Sequence, residues 1–157
     1  RIVSSSEMEA KGFIEGNYNY NPTDVMLSGF PRYDNLTQDG QKKKQILVMP
    51  SWRKNLVKPK DQLMAERPYN PFFKNSDYFN HYNGILNDER LLSEAKRLGY
   101  TIMFVPHPDI MVQLDDFDKN DYVKYTDYKT SYQTYFKESA LMLTDYSSVF
   151  FDFAYMK

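Results

Sequence analysis

Short apolar runs bounded by turn residues recur along this chain, and no other feature of the sequence constrains the fold as strongly. They occupy residues 25–27, 45–49, 101–105 and 140–143. Strands that are buried on both faces of a parallel sheet are apolar at almost every position, as these runs are. The sequence therefore predicts a mostly parallel sheet.

Helical patterns lie between these runs. One helix is predicted over residues 87–98, where apolar residues recur at i, i+4 and i+7 and Gly99 is placed to end the helix. Further helices are predicted over residues 132–138 and from about residue 147. The alternation of strand and helix is typical of an α/β layer sandwich with right-handed crossovers.

The composition excludes several kinds of protein. Twenty Lys and Arg against 21 Asp and Glu leave a net charge of -1, so no basic face for nucleic acid is expected. The chain has no Cys, which excludes disulfides and thiol nucleophiles. No apolar run approaches the roughly 18 residues that a membrane-spanning helix needs. A length of 157 residues fits one domain.

Aromatic residues make up 17% of the chain, and they can fill a core or line a cleft. We favour the core for most of them. Residues 54–83 are rich in Pro, Asn and aromatic side chains and are too long for a simple connection. They are predicted to form a functional loop with short helical turns, such as a lid or an acceptor-side insertion.

The acidic segment 115–121 partly matches a calcium-binding loop. Asp116, Asp118 and Asn120 stand at the first, third and fifth ligand positions, but Asp121 occupies the sixth, where the turn requires glycine. A solvated acidic loop is therefore the favoured interpretation.

Three segments carry residues suited to phosphate, and each follows an apolar run. Ser147 and Ser148 stand at the start of a predicted helix, where hydroxyls and free N–H groups can bind an anion. Plain capping of the helix by Asp145 or Ser147 explains this pattern equally well.

The other two segments are built in the same way. His107, fixed between two prolines, can bind a phosphate as imidazolium or imidazole, or act as an acid toward a leaving group; a structural role is equally expected. Ser51 and Arg53 flank Trp52, and Arg53 can bridge a diphosphate while Trp52 forms core or cleft wall. Because the carboxyl ends of parallel strands meet at one edge of a sheet, the three segments are expected to converge.

Four segments in order resemble the CDP-glycerol glycerophosphotransferase family, the teichoic acid and capsule polymerases and primases of the TagF and TagB type. They are residues 27–34 (LSGFPRYD), 49–53 (MPSWR), 106–108 (PHP) and 143–152 (LTDYSSVFFD). The resemblance implies a Rossmann-like α/β layer sandwich with a mostly parallel sheet, the C-terminal half of a GT-B architecture. Residues 1–157 are then expected to form a single donor-nucleotide-binding domain, truncated at the C-terminus and without the N-terminal acceptor domain.

The same resemblance implies the reaction and the partners. Glycerol phosphate or ribitol phosphate is transferred from CDP-glycerol or CDP-ribitol to a hydroxyl of a cell-wall or capsular polymer or of a lipid-linked primer. No cofactor and no metal are expected. The location implied is cytoplasmic, peripheral at the inner face of the bacterial cell membrane, with membrane contact through the missing half.

The resemblance also assigns roles to residues. His107 is the expected catalytic residue and holds the donor diphosphate with Ser147 and Ser148, while Asp152 either reaches the ribose or orders its helix. The full set assigned to the donor is Ser51, Arg53, His107, Thr144, Ser147, Ser148 and Asp152.

One departure from the family limits these expectations. The family's second histidine, in a His-Gly-Thr segment, has no match here, so the chain alone is expected to bind the donor weakly and not to turn over. Two alternatives stay open: another CMP-dependent GT-B transferase, similar to the sialyltransferases, or a non-catalytic module that binds a phosphorylated ligand.

Overall fold

The computed structural model describes residues 1–36, 41–58 and 67–156. The chain divides into two compact units, residues 1–39 with 154–157 and residues 40–153. The sequence predicts one domain over residues 1–157, so this division is finer than expected. The role of the chain as a donor-nucleotide-binding domain stays a prediction.

The first unit is built on two short strands and two helices. Strands β1 (Ile2–Ser4) and β2 (Val25–Leu27) pair in parallel, and helices α1 (Glu7–Glu15) and α2 (Pro31–Leu36) follow them. The strand expected at residues 25–27 is confirmed. The sequence prediction did not include α1, which begins at Ser6, whose side chain accepts a hydrogen bond from the Glu9 N–H.

The second unit contains a four-stranded sheet in which every pairing is parallel, as predicted. Its strands are β3 (Lys43–Val48), β4 (Thr101–Phe104), β5 (Val123–Tyr125) and β6 (Ser139–Leu143), in the order β5-β4-β3-β6. The chain runs outward from β3 through β4 to β5, and β6 then returns to the opposite side of β3. The order therefore reverses beside β3, which is where open α/β sheets bind ligands.

Four helices complete the second unit and lead out of it. They are α3 (Asp77–Leu86), α4 (Glu89–Leu98), α5 (Tyr132–Glu138) and α6 (Val149–Tyr155). The predicted α4 and α5 are confirmed. The loop predicted over residues 54–83 is partly wrong, because residues 77–83 belong to α3. Residues 59–66 of that loop lie outside the described residues.

Helix α3 forms where it does because its aromatic side chains fill the core. Phe73 is 0% exposed, and its ring centroid lies 5.8 Å from those of Phe79 and Phe117. Phe104 of β4 contacts Phe117 in turn, at 5.0 Å. The core interpretation of the aromatic excess holds for this cluster, and it gives α3 a buried face against the sheet.

The acidic segment 115–121 hydrogen-bonds to several neighbouring parts of the chain, including α3. Asp116 accepts hydrogen bonds from Tyr69 and Gln113, and Asp118 accepts one from Asn83 of α3 at 2.8 Å. Asp115, Asp118 and Asp121 are exposed, as expected for a solvated acidic loop. Among residues 1–36, 41–58 and 67–156, no group of three or more His, Asp or Glu side chains is arranged to hold a metal ion. None of the described helices has the length and apolar character needed to cross a membrane.

The end of α4 provides a test of this architecture. Gly99 closes the helix in the left-handed region, with φ of 74°, and an added Cβ would meet only Lys44 Cδ, at 3.9 Å. We expect Gly99→Ala to lower the free energy of unfolding by about 1–2 kcal/mol, because the strain is conformational and not steric.

Gly84 offers a matched control inside α3. An added Cβ there meets nothing within 4 Å, so Gly84→Ala should raise the free energy of unfolding by about 0.5–1 kcal/mol. Urea unfolding of both variants gives the comparison. Equal effects of the two substitutions would contradict the assignment of Gly99 as the cap.

Candidate functional site

The three phosphate-compatible segments emerge side by side at one edge of the sheet. Val48 at the end of β3 pairs with Phe104 of β4 and with Leu143 of β6. Two backbone hydrogen bonds extend this register beyond the strands, from Met49 N–H to the Leu143 carbonyl and from Val105 N–H to the Val48 carbonyl, both at 2.9 Å. The predicted convergence at the carboxyl edge is therefore present.

Asp145 joins two of these segments through its carboxylate. Oδ1 accepts the Ser51 N–H at 2.9 Å, and Oδ2 accepts Arg53 Nη2 at 2.7 Å and the Tyr82 hydroxyl at 3.2 Å. We call this arrangement the Asp145 clamp. The carboxylate is only 15% exposed, and charge-assisted hydrogen bonds of this kind are stronger than neutral ones.

Competing effects set the protonation of the clamp. Burial raises the pKa of Asp145, but the hydrogen bonds from Ser51 and the Arg53 guanidinium outweigh it, so the pKa lies below its ordinary value. The pKa of Tyr82 rises to about 12, through burial and through the neighbouring carboxylate. At neutral pH the clamp is a charged carboxylate held by an uncharged phenol and a guanidinium.

Thr144 adds a second link between the same two segments. Its hydroxyl donates to the Met49 carbonyl at 2.7 Å, so its side chain ties the end of β6 to the end of β3. The sequence placed Thr144 close to the donor phosphates. In the structure its hydroxyl is bonded to the backbone beside the phosphate-compatible residues.

His107 caps a 3-10 helix over Pro108–Asp116 and lies half-exposed at the end of β4. Its Nδ1 accepts the Asp109 N–H at 3.1 Å, and its ring centroid lies 5.6 Å from that of Trp52. Burial lowers the pKa of His107, with the Asp109 carboxylate acting in the opposite direction and Arg67 adding to the lowering.

A cavity of about 380 Å³ gathers the hydroxyls and the imidazole. We call it the serine cavity; its lining residues are Met49, Pro50, Ser51, Trp52, His107, Tyr132, Tyr146, Ser147, Ser148 and Val149. No carboxylate is among these described lining residues. The volume falls in the range of small-molecule sites. Ser51, His107, Ser147 and Ser148, expected to act together, all contribute to it.

Arg53 is not one of the residues that line the serine cavity. It lines a second cavity of about 640 Å³ together with Asp145, Asp77, His81 and Tyr82. Members of the Asp145 clamp line both cavities: Arg53, Tyr82 and Asp145 line the second cavity, and Ser51 lines the serine cavity. Asp152 lies on α6 and lines neither cavity.

Comparison with known proteins identifies the family. The family model described as CDP-Glycerol:Poly(glycerophosphate) glycerophosphotransferase matches residues 2–157. The chain belongs to this family. The recognition made from four short segments is confirmed over almost the whole chain.

Individual relatives of this glycerophosphotransferase family agree with the assignment. "Minor teichoic acid biosynthesis protein GgaB" of Bacillus subtilis (strain 168) is 53% identical over 156 residues, which is 99% of this chain and 17% of the relative. The chain thus spans about a sixth of the length of that curated relative.

Solved structures of the wall teichoic acid polymerase TagF support the fold. One is 20% identical, with a TM-score of 0.56, and is matched over 98% of this chain and 36% of its own. A TagF variant soaked with CDPG gives a TM-score of 0.54 at 19% identity, over 98% of this chain and 36% of that one. The predicted α/β fold class, with the GT-B-like TagF as structural neighbour, is confirmed.

The sequence prediction missed several residues of the serine cavity and of the Asp145 clamp. Tyr132 and Tyr146 line the serine cavity, and Tyr146 is 94% exposed. Asp145 was expected at most to cap a helix, and its contacts to Ser51 and Arg53 span more than ninety positions of sequence. The local signal for Tyr146 was its position directly before the two serines.

The clamp predicts a pH-dependent stability. The lowered pKa means that Asp145 contributes fully above its unfolded pKa of about 3.9 and loses that contribution as the pH falls through its folded pKa. We expect Asp145→Asn to lower the free energy of unfolding by about 1–3 kcal/mol at pH 7. The difference from the wild type should shrink as the pH falls below about 4.

Glu94→Gln is the matched control for urea unfolding at a series of pH values. Glu94 pairs with Arg97 on the exposed face of α4, where both side chains are more than half exposed. Solvent screening leaves such a pair with little influence on stability. A loss in Asp145→Asn no larger than in Glu94→Gln would show that the clamp does not hold the two segments together.

Proposed function

We propose that this chain forms the donor-binding part of a transferase that moves glycerol phosphate, or ribitol phosphate, from a CDP-activated donor to a hydroxyl of a cell-wall polymer. The observation that carries the proposal is the convergence of His107, Ser147 and Ser148 on one cavity in a chain of the glycerophosphotransferase family. The biosynthetic role named for GgaB agrees with a wall polymer as product.

The chemistry of the serine cavity suits a diphosphate. Its described walls offer hydroxyls and an imidazole and no carboxylate, so an anion meets donors without direct repulsion. The second cavity is lined by the Asp77 carboxylate and by the ion pair of Asp145 with Arg53, and the charge of Asp77 disfavours an anionic ligand. The contrast supports placing the donor diphosphate beside Ser147 and Ser148.

The proposed reaction is an in-line displacement at the β-phosphorus of the donor. A hydroxyl oxygen of the acceptor forms a bond to this phosphorus while its bond to the bridging oxygen breaks, and CMP leaves with that oxygen and the electron pair. Hydrogen-bond donors at His107, Ser147 and Ser148 stabilise the charge that develops on the leaving phosphate. The hydroxyl proton goes to a base, which the proposal assigns to the family's His-Gly-Thr segment.

The remaining parts of the proposal concern the setting of the reaction. Charge stabilisation by His107 and the serines is proposed to suffice without a metal or other cofactor. The proposed acceptor is a polymer or a lipid-linked primer, and a lipid-linked primer supports a proposed location at the inner face of the bacterial membrane. Arg53, which the sequence assigned to the diphosphate, is proposed to act through the Asp145 clamp.

Thermal unfolding of the 157-residue chain with added nucleotides tests the proposal. We expect CDP-glycerol or CDP-ribitol to raise Tm, because a ligand that binds only the folded state stabilises it by mass action. CMP-sialic acid and UDP-glucose should raise Tm less. The double variant Ser147→Ala, Ser148→Ala should weaken CDP-glycerol binding by about thirtyfold, since two lost hydrogen bonds at about 1 kcal/mol each sum to about 2 kcal/mol.

Ser93→Ala is the matched control, because the Ser93 hydroxyl on α4 donates only to the Arg90 carbonyl among the contacts described for it. It should bind CDP-glycerol as the wild type does. A folded chain that responds to no cytidine nucleotide would overturn the proposal. Equal responses to all four nucleotides would favour a general phosphate-binding module.

A further inference from the structure

One ring nitrogen of His107 accepts a hydrogen bond from the backbone. Nδ1 accepts the Asp109 N–H at 3.1 Å, and a nitrogen that accepts a hydrogen bond carries a lone pair and no proton. A neutral imidazole then carries its single proton on Nε2. The sequence left open whether His107 binds a phosphate as imidazolium or as imidazole. The contact of Nδ1 with the Asp109 N–H favours the neutral imidazole.

We propose that Arg67, Trp52 and the backbone of Asp109 hold His107 as the neutral tautomer with its proton on Nε2, so that Nε2–H is the donor that His107 presents to the serine cavity. Arg67 and Trp52 are positioning residues in this arrangement. The identity of the group that receives the hydrogen bond, a donor phosphate, rests on the proposed function. The tautomer itself does not.

Arg67 acts by neutralising the carboxylate nearest to His107. Its Nη2 lies 2.9 Å from Asp109 Oδ2, and the same Oδ2 lies 4.0 Å from His107 Nδ1. Without Arg67, this carboxylate would attract a proton to Nδ1 at the expense of the hydrogen bond from the Asp109 N–H. With Arg67 in place, the carboxylate is paired, and the guanidinium itself disfavours a second positive charge nearby.

Trp52 restricts the orientation of the imidazole. The two rings lie 5.6 Å apart at an interplanar angle of 31°, and the Arg67 guanidinium carbon lies 5.2 Å from the Trp52 ring. Trp52 therefore contacts both the histidine and the arginine that controls its charge. A rotation of the imidazole that exchanged its two nitrogens would have to displace this packing.

The other groups around His107 do not oppose this state. Among the described residues, the charged groups that act on it are Asp109 and Arg67, and the titratable groups across the cavity are the phenols of Tyr132 and Tyr146. Burial raises the pKa of Tyr132, which keeps that phenol neutral. Burial and Arg67 together lower the pKa of His107 in spite of Asp109, in agreement with a neutral ring at pH 7.

Nitrogen NMR of the ligand-free chain tests the tautomer directly. The chain has two histidines, so His81→Gln assigns the signals of His107. At pH 7 we expect the chemical shift of an unprotonated nitrogen at Nδ1 and that of a protonated nitrogen at Nε2. A proton on Nδ1, on both nitrogens, or exchanging equally between them would overturn the proposal.

Variants of Arg67 test its positioning role. Arg67→Met should raise the pKa of His107 above the wild-type value, and Arg67→Lys should restore it in part because the charge is kept. Arg97→Met is the matched control, since Arg97 pairs with Glu94 on the far exposed face of α4. Identical titration of His107 in Arg67→Met and Arg97→Met would overturn the role of Arg67.

Binding of CDP-glycerol gives a second readout and separates the two proposals. The wild-type dissociation constant should change less than about twofold between pH 8 and pH 6, whereas that of Arg67→Met should tighten about three- to tenfold as an imidazolium forms. One outcome is a folded chain that shows the expected tautomer and still binds no cytidine nucleotide. That result would support this inference and overturn the proposed function. A wild-type constant that tightens as much as that of Arg67→Met would overturn the inference.

Discussion

The ion pair and hydrogen bonds of Asp145 are the interaction on which the site depends. Strand pairing alone brings the ends of β3 and β6 within reach, but the segments beyond the strands have no sheet to order them. The carboxylate of Asp145 supplies that order by holding the Ser51 N–H and the Arg53 guanidinium. The serines that follow Asp145 and the hydroxyl of Ser51 consequently share one cavity.

A recurring arrangement controls charge around that cavity. Asp145 is paired with Arg53 on one side, and Asp109 is paired with Arg67 beside His107. Both of these carboxylates are thus paired with an arginine, and neither repels an incoming anion at full strength. This arrangement lets a chain with a net charge of -1 present a site suited to a diphosphate without a basic face.

Arg53 and Arg67 differ in how well the sequence predicts their roles. Arg53 stands next to the only tryptophan and two residues after Ser51, a position that suggested direct contact with the donor. Its guanidinium donates to Asp145 and to the carbonyls of Ser51 and Trp52, and its contact with the donor stays a prediction. Arg67, which no sequence pattern marked, contacts Trp52 and controls the surroundings of His107. A charged side chain near a site can therefore act by holding other residues of the site in position.

The sequence by itself determined the parallel sheet, helices α4 and α5 and the family. It also predicted Ser51, His107, Ser147 and Ser148 as contacts of the donor; the structure brings them to one cavity, and their role stays a prediction. These follow from local patterns: apolar runs, helical periodicity and short motifs at strand ends. The sequence prediction missed β5, because Lys124 interrupts its apolar run. It also assigned residues 77–83 of α3 to a loop, because this stretch is rich in aromatic residues and Asn.

Only the tertiary structure decided the partners of Asp145, the second cavity and the neighbours of His107. The contacts of Asp145 join residues 63 to 94 positions apart, and no local pattern encodes pairs at such separations. They arise because parallel strands bring distant segments to the same edge, where burial then favours the pairing of opposite charges. The sequence shows the motifs themselves. Their convergence on one cavity depends on the packing of the parallel sheet.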